Sequence, residues 1–459
     1  MSRRLFGTDG VRGVANELLT PELALDLGRA AGSVLLESGE SRRVAIGRDT
    51  RRSGAMLSSA IAAGFASVGF AVDDLGIVPT PVLSFAARKH GYAAGVVVSA
   101  SHNPAPDNGI KLFGFDGRKM ADDHEREIEA RLGTDLARPI GGGVGEIRAD
   151  RTAVHEYEQF LMSLVPEGLA GMHIAVDAAH GAAYHIGPKV LRALGAEVTA
   201  VGVDPDGVNI NLGGGATHPA TVQALTKEVG ADLGVAFDGD ADRAIFSDRE
   251  GRLVNGDRTL AIWAAARMAA GRLDPPIVVG TIMSNGGYEA YLRSLGVTLE
   301  RTPVGDKYVS ARIAETGAHV GGEQSGHLVF PDRGPSGDGL VSMLELLGAI
   351  RASGKSLNEL YERFDNWPQL LVNVSVADRE TWSAGPGVAQ ALARAENELA
   401  GHGRINVRAS GTQPMVRVMV EADDEALRDR VAEEVVEALG RGAGARVYSR
   451  VDLTHSLGE

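Results

Sequence analysis

Short apolar runs alternate with longer helical patterns along most of this chain, and glycine marks many of the junctions. Thr20-Pro21 opens the first helix: Thr20 is the N-cap, and Pro21 takes the first helical position, where its missing N–H is not needed. Leu23, Leu27, Ala30 and Val34 then share one face, and Gly39 closes the helix. Val44-Ala45-Ile46 is a short strand running into Gly47-Arg48-Asp49-Thr50-Arg51. A second helix runs from about Ser53 to Val68, and Pro79-Thr80-Pro81 starts a third. That helix feeds Val96-Val97-Val98, three consecutive valines that predict a buried strand. Elements alternating in this way predict a mainly parallel α/β layer.

The same helix–glycine–strand phrase occurs twice more. Leu191 to Gly195 leads into Ala196-Glu197-Val198, and Leu292 to Gly296 into Val297-Thr298-Leu299; Ser67-Val68-Gly69-Phe70 is a weaker version. Strands at His173–Asp177 and Ile277–Thr281 precede the later two. Solenoid periods are about 20–50 residues, so this wider spacing predicts three similar domains instead. The remainder reads as a small α+β domain: Leu370 to Val376, a helix over 387–400, an alternating strand Val416 to Glu421, and a helix from Asp424 to Leu439. Gly141-Gly142-Gly143-Val144-Gly145 is a linker or tight turn, and Asn366-Trp367-Pro368 a break. The expected domains are therefore 1–150, 151–253, 254–366 and 367–459.

Composition narrows the field. At about 100–200 residues per domain, 459 residues allow roughly two to four domains. A net charge of −14 argues against a general nucleic-acid binder, although local cations can still hold an anionic substrate. The chain has no cysteine, which excludes disulfides, thiolate nucleophiles and Cys-ligated zinc, and fits a cytoplasmic protein. Met1-Ser2-Arg3-Arg4 runs into Leu5 to Gly10 without an apolar core, so no signal peptide is expected. No apolar run reaches the roughly 20 residues that cross a bilayer.

Candidate chemistry lies at the ends of the predicted strands. After the valines come Ser99-Ala100-Ser101-His102-Asn103-Pro104, then Asp107-Asn108-Gly109-Ile110-Lys111. A serine becomes a nucleophile or phosphate carrier when a neighbour takes its proton and cations neutralise its load. His102 and Lys111 are local candidates, and a plain polar turn is the alternative. Asp238-Gly239-Asp240-Ala241-Asp242-Arg243 follows the strand Ala231 to Phe237. Three carboxylates so spaced repel unless a cation lies between them, and oxygen-only ligands favour Mg²⁺; an unliganded acidic turn is the alternative. An EF-hand is excluded, because Arg243 and Arg249 occupy its glycine and glutamate positions.

Gly321-Gly322-Glu323-Gln324-Ser325-Gly326-His327 offers groups for sugar hydroxyls, or is a plain polar loop. Arg408-Ala409-Ser410-Gly411-Thr412-Gln413-Pro414, with Arg417 beyond, suits a phosphate that is held without being transferred. Two glycine motifs are rejected. Gly141 to Gly145 opens no convincing helix, and Gly354-Lys355-Ser356 has Ala349 where a P-loop needs glycine.

Taken in order, these stretches resemble the motifs of the α-D-phosphohexomutase superfamily, and the resemblance runs essentially end to end. It implies that Ser101 carries the transferred phosphoryl group. It also implies that Asp238, Asp240 and Asp242 hold Mg²⁺ with an oxygen of phosphorylated Ser101, and that Arg243 contacts phosphate. Glu323 and Ser325 fall on the family's sugar loop, and Thr302 to Lys307 resembles the neighbouring sugar-contact loop, which includes Gly305; Lys307 stands where arginine is usual. Arg408, Ser410, Gly411, Thr412 and Arg417 fall on its phosphate loop, with Gln413 in place of glutamate, a change that removes no phosphate donor. The opening Phe6-Gly7-Thr8-Asp9-Gly10-Val11-Arg12-Gly13 is similar to the branch acting on glucosamine phosphate, and puts Arg12 beside the phosphoserine loop. His180-Gly181 departs from the usual Asn-Gly.

The fold implied is α/β: three similar α/β domains with mixed sheets, plus a smaller C-terminal α+β domain, around a central cleft. The activity implied is conversion of glucosamine 6-phosphate to glucosamine 1-phosphate through a 1,6-bisphosphosugar, feeding UDP-N-acetylglucosamine and cell-wall precursors. Lys111 and His102 are the candidates for moving the proton. A small phosphosugar is the expected partner, with no nucleic acid or membrane, in a monomer or homodimer. A phosphomannomutase or phosphoglucomutase of the same superfamily is the alternative. More distant readings are a haloacid-dehalogenase-like phosphatase, which would use an aspartate of the acidic turn as nucleophile, and a non-catalytic phosphosugar-binding protein.

Overall fold

A computed structural model describes residues 5–7, 9–37, 39, 41–376, 378, 381–410, 415–455 and 457. Its first sheet has six strands in the order Val11–Val14, Asp107–Gly114, Ala94–Val98, Arg43–Arg48, Ala71–Ile77, Ile147–Ala149. The last four run parallel, and the first two pair antiparallel, so the sheet is mixed. Ala94–Val98 is buried along its length, as three valines with no polar neighbour require.

Helices Pro21–Glu37 and Arg52–Ser67 cover one face, burying Leu27, Ala30 and Val34 against Leu57, Ile61 and Phe65. Their backbones touch where they cross: a Cβ on Gly28 would lie 2.3 Å from the Ile61 carbonyl oxygen, and one on Gly64 2.3 Å from that of Leu25. Any side chain at either position would force the helices apart. Helix Thr80–His90 covers the other face. Its Val82, Leu83 and Phe85 belong to one hydrophobic cluster with Tyr157 and Leu161, so the first and second domains share a continuous core.

The second sheet runs Leu253–Val254, Ala244–Asp248, Leu233–Phe237, His173–Asp177, Glu197–Val201, with its last three strands parallel. The third runs Thr298–Thr302, Ile277–Thr281, Gly321–Gly322, Leu328–Val329. In the fourth, Gly403–Ala409, Met415–Ala422, Gln369–Ser375 and Arg446–Asp452 are all antiparallel. Three mixed α/β sheets and a smaller antiparallel α+β domain match the expected fold class.

The structure refines two details of the sequence reading. The glycine run at 141–145 is a turn inside the first sheet, which brings Ile147–Ala149 back to pair with Ala71–Ile77. Strands Gly403–Ala409 and Arg446–Asp452 carry no long apolar run and lie at the sheet's two edges, the first half-buried and the second largely exposed, so burial leaves little mark on them. Consequently Arg408 sits on a strand, not a loop. Among the described residues no helix is long and apolar enough to cross a membrane.

Candidate active site

Strands Arg43–Arg48, Ala94–Val98 and Leu233–Phe237 all deliver polar residues at their carboxyl ends, the side of an α/β sheet where ligands bind. Ser101 follows the second of them and is 3% exposed. Its backbone has φ 51°, the left-handed region that few non-glycine residues occupy, so surrounding contacts must hold it there. They do. Its N–H donates to Ser99 Oγ at 3.0 Å, and Arg51 Nη2 and Asn211 Nδ2 donate to its carbonyl at 3.0 and 2.9 Å. Arg51 also donates to the carbonyls of Asn103, Pro104 and Asp107. Asp49, paired with Arg51 at 2.9 Å, accepts the Ser99 hydroxyl at 2.6 Å.

This buried ion pair is thus the frame of the Ser101 loop. Burial pushes the Asp49 carboxyl above its ordinary value, while Arg51 pulls it down. Arg51→Met would leave the Asp49 charge without its guanidinium and the Pro104 and Asp107 carbonyls without the Arg51 donor, while Asn211 still serves those of Ser101 and Asn103. Breaking a buried pair from one side costs about 3–5 kcal/mol. The expected result is a denaturant midpoint well below that of the parent, partly recovered in the Asp49→Asn/Arg51→Met double variant.

The Ser101 hydroxyl is not free. It donates to Asp238 Oδ2 at 2.6 Å, and His102 Nδ1 lies 3.4 Å from it. Asp238, Asp240 and Asp242 are all buried, with one carboxylate oxygen from each lying within 4.8 Å of the other two. Thr80 Oγ1 and Lys111 Nζ donate to Asp240 Oδ2 at 2.6 and 3.2 Å, and the Arg243 N–H donates to Asp238 Oδ1 at 3.2 Å. The Oδ1 atoms of Asp240 and Asp242 are buried without any hydrogen-bond partner. Two orphaned anionic oxygens beside a serine hydroxyl fit a hard divalent cation, which would accept them all as ligands.

The cations around this group are placed by the same frame. Lys111 lies 3.3 Å from Asp9, 3.2 Å from Asp240 and 3.7 Å from Asp242. Burial alone would lower its pKa, but the three carboxylates raise it and keep it charged. Arg12, on the strand opposite Gly109, pairs with Asp9, and its Nε is buried without a partner. For Asp242, burial works upward, but Lys111, His327 and Arg243 outweigh it and hold the carboxyl well below its usual range. Burial and the two neighbouring carboxylates push Asp238 well above that range. His327 lies 3.7 Å from Asp242, which overrides the effect of burial and raises it to about 9. A cleft of about 270 Å³ opens here, bounded by Asp9, Lys111, Asp242, Lys307 and His327.

The other predicted residues form two further groups. Glu323 Oε1 accepts the Gly305 N–H at 2.8 Å, so the two sugar-loop candidates are tied together. Ser325 is buried on the same turn, and that turn's His327 reaches Asp242, so it abuts the acidic group. Arg408 and Arg417 face each other across an antiparallel pair, with no carboxylate partner among the described residues. Like charges at that spacing repel, and a bound anion would offset this. They border a cavity of about 340 Å³, closed on the far side by Ile282 and Met283 of the third domain. Ser410 is buried beside them, while Gly411 and Thr412 lie outside the described residues. No direct contact joins this group to Ser101 among the described residues.

Sequence reasoning missed Asp49, Arg51, Thr80, Asn211 and the part of His327 that meets Asp242. The available signal was Gly47 to Arg51, a polar run directly after a predicted strand, like the two motifs that were recognised.

Four family models match the chain in order. Phosphoglucomutase/phosphomannomutase alpha/beta/alpha domains I, II and III match residues 3–138, 154–251 and 255–367, and the C-terminal domain matches 371–438. Phosphoglucosamine mutase of Desulforamulus reducens is 46% identical over 95% of this chain and 99% of that protein. The crystal structure of a phosphoglucomutase/phosphomannomutase family protein from Burkholderia thailandensis, 26% identical, superposes with a TM-score of 0.79 over 97% of this chain and 99% of that one. Aspergillus fumigatus N-acetylphosphoglucosamine mutase, solved with GlcNAc-6P and magnesium, shares the fold at 20% identity, with a TM-score of 0.61 over 95% of this chain and 96% of that one. The acidic group, the serine beside it and this agreement over nearly the whole length lead to one conclusion: the chain belongs to the phosphoglucosamine mutases, phosphosugar isomerases of the phosphoglucomutase/phosphomannomutase family.

Proposed function

We propose that this chain interconverts glucosamine 6-phosphate and glucosamine 1-phosphate by way of a phosphoserine at Ser101 and a 1,6-bisphosphosugar. The observation that carries the reading is the 2.6 Å bond between the Ser101 hydroxyl and Asp238, inside a buried carboxylate group with two unpartnered oxygens. Phosphorylated Ser101 carries about −1.5 to −2 charge at pH 7, which the site must neutralise. Mg²⁺ held by Asp238, Asp240 and Asp242 would supply much of that neutralisation; the fungal relative solved with magnesium supports this choice of ion. Lys111 and Arg243 supply the remaining charge from the protein, and Arg12 borders the same group.

In the forward direction the sugar's free 1-hydroxyl attacks the phosphorus, its new P–O bond forms, and the bond to Ser101 Oγ breaks. The bisphosphate turns over in the cleft, and Ser101 Oγ then takes the phosphoryl group from the 6-position. Each transfer moves one proton. His102, 3.4 Å from Oγ, suits the accepting role, and Lys111, held charged, suits the donating one. Glu323, Ser325 and Gly305 address the sugar. Arg408, Ser410, Gly411, Thr412 and Arg417 hold the phosphate that is not reacting, where the facing guanidiniums favour an anion. The work divides over domains 1–150, 151–253, 254–366 and 367–459, in a cytoplasmic setting that a cysteine-free chain suits.

The test is a comparison of the 6-phosphates of glucosamine, glucose and mannose, followed by phosphorus NMR. Highest kcat/KM on glucosamine 6-phosphate, with one added phosphate on the Ser101 peptide by intact and peptide mass, is the expected result. Preference for glucose or mannose phosphate would replace the sugar assignment and leave the phosphoserine reading standing. No phosphate on any serine of an active preparation would remove the reading altogether.

A further inference from the structure

A cavity of about 430 Å³ lies at the seam of the first and second domains, behind the catalytic loops. Its charged lining is Arg48, Arg151 and Lys189, with His155 and His185 and a single acid, Glu158. Lys189 is spoken for, because it donates to both oxygens of Glu158 at 2.7 Å, and His155 is 3.5 Å from the same carboxylate. Arg48 lies 3.4 Å from Asp74. Arg151 has no carboxylate partner among the described residues. Its guanidinium donates to the Leu75 carbonyl and lies over Gly76, where a Cβ would come within 2.5 Å of its nearest nitrogen. Gly76 also has φ 71°, so only glycine leaves room for this arginine in this position.

The surroundings point the same way. Helices Thr152–Ser163 and Ile186–Ala193 both begin at the cavity, immediately after Arg151 and His185, and neither of those N-cap residues supplies a side-chain cap. At the first of these the Asp150 carboxylate already accepts the Thr152 N–H at 2.8 Å, so the Ile186–Ala193 N-terminus is the one that adds to the positive potential of the exposed Arg151 guanidinium. The rest of the wall is apolar: Ile77, Val78 and Pro79 on one side, with the half-buried ring of Tyr184 among the second domain's contributions. Such a lining accommodates a flat ring joined to the anion.

We propose that this cavity is a second binding site, for a phosphate ester that carries a flat ring, of which a nucleoside monophosphate is the simplest case. Arg151 takes the phosphate and Tyr184 the ring. The wall is also the reverse side of the catalytic frame. Arg48 precedes Asp49, whose pair with Arg51 holds the Ser101 loop, and Pro79 precedes Thr80, which holds Asp240. Ala182 donates its N–H to the Gly239 carbonyl at 2.8 Å. A ligand here therefore sets the alignment of the serine loop against the acidic loop, and its occupancy is expected to change the kcat/KM of the mutase.

Calorimetric titration of the full chain with adenosine monophosphate tests this, with saturating phosphosugar present to fill the catalytic cleft. One site per chain is expected, at least about tenfold tighter than for inorganic phosphate. Arg151→Met should weaken adenosine monophosphate by about tenfold or more and leave turnover without nucleotide unchanged, which also reports an intact fold. Tyr184→Leu should weaken the nucleotide by about fivefold or more while sparing phosphate. Nucleotide binding no tighter than phosphate, or binding untouched by Arg151→Met, would overturn the proposal.

Discussion

Ser101→Ala will lower mutase turnover by at least about three orders of magnitude, while the protein still folds and still responds to a divalent cation. The hydroxyl is the only group the reading gives to phosphoryl carriage, so no neighbour can replace it. His102 and Lys111 surround the same point but carry protons and charge. The structural cost is small: one hydrogen bond to Asp238 is lost, worth about 1–3 kcal/mol with a buried acceptor left behind. Alanine inherits the same left-handed backbone, which Arg51 and Asn211 fix through the Ser101 carbonyl and not through its side chain. Thermal melts near those of the parent would therefore separate lost chemistry from lost structure. The variant also divides the rival readings, because a phosphatase using one of the aspartates as nucleophile would keep its turnover. Retained mutase activity in Ser101→Ala would end the phosphoserine mechanism.

The parts of this site that could be read from sequence are those whose partners are local. Asp238, Asp240 and Asp242 repeat at every second residue after a strand, so their mutual repulsion follows from spacing, and the resemblance turns that repulsion into the expectation of a cation. Ser101 and Lys111 belong to one strand-turn-strand segment. Arg51, Thr80 and Asn211 act across gaps of 50, 160 and 110 residues, to Ser101, Asp240 and Ser101 respectively, and nothing local marks them. The alternation of helices and strands was legible where glycine or proline marks the junctions. The two edge strands of the last sheet, the strands Asp107–Gly114 and Ala244–Asp248, and the helices Gly256–Ala269 and Gly339–Ser353 were not legible; these two helices are buried on most sides and show little amphipathic period. The departure at His180 also gains an account. Ala179 and His180 have φ 53° and 51°, a conformation in which asparagine, aspartate and histidine are all found more often than most residues. What the site uses there is the backbone, since the His180 carbonyl accepts the Thr50 hydroxyl at 2.6 Å. Any side chain that tolerates the left-handed turn can therefore serve.

Magnesium added to chelator-treated protein will restore turnover and raise the melting temperature, and Asp240→Asn will abolish both responses. The sign follows from which state binds the ion. Three carboxylates within 4.8 Å exist as a site only in the folded chain, so the ion stabilises that state by mass action. At a concentration of 100 Kd the gain is about 2.7 kcal/mol. Without the ion, Lys111, Arg243 and His327 offset part of the repulsion from one side, but the Oδ1 atoms of Asp240 and Asp242 find no donor. Asp240→Asn removes one of the three negative charges and keeps an acceptor for Thr80 and Lys111, so the apo protein should melt within a few degrees of the parent. The variant then isolates the ion's contribution from that of the fold. A shift with magnesium as large in Asp240→Asn as in the parent would place the ion elsewhere and break the link between the acidic group and the serine beside it.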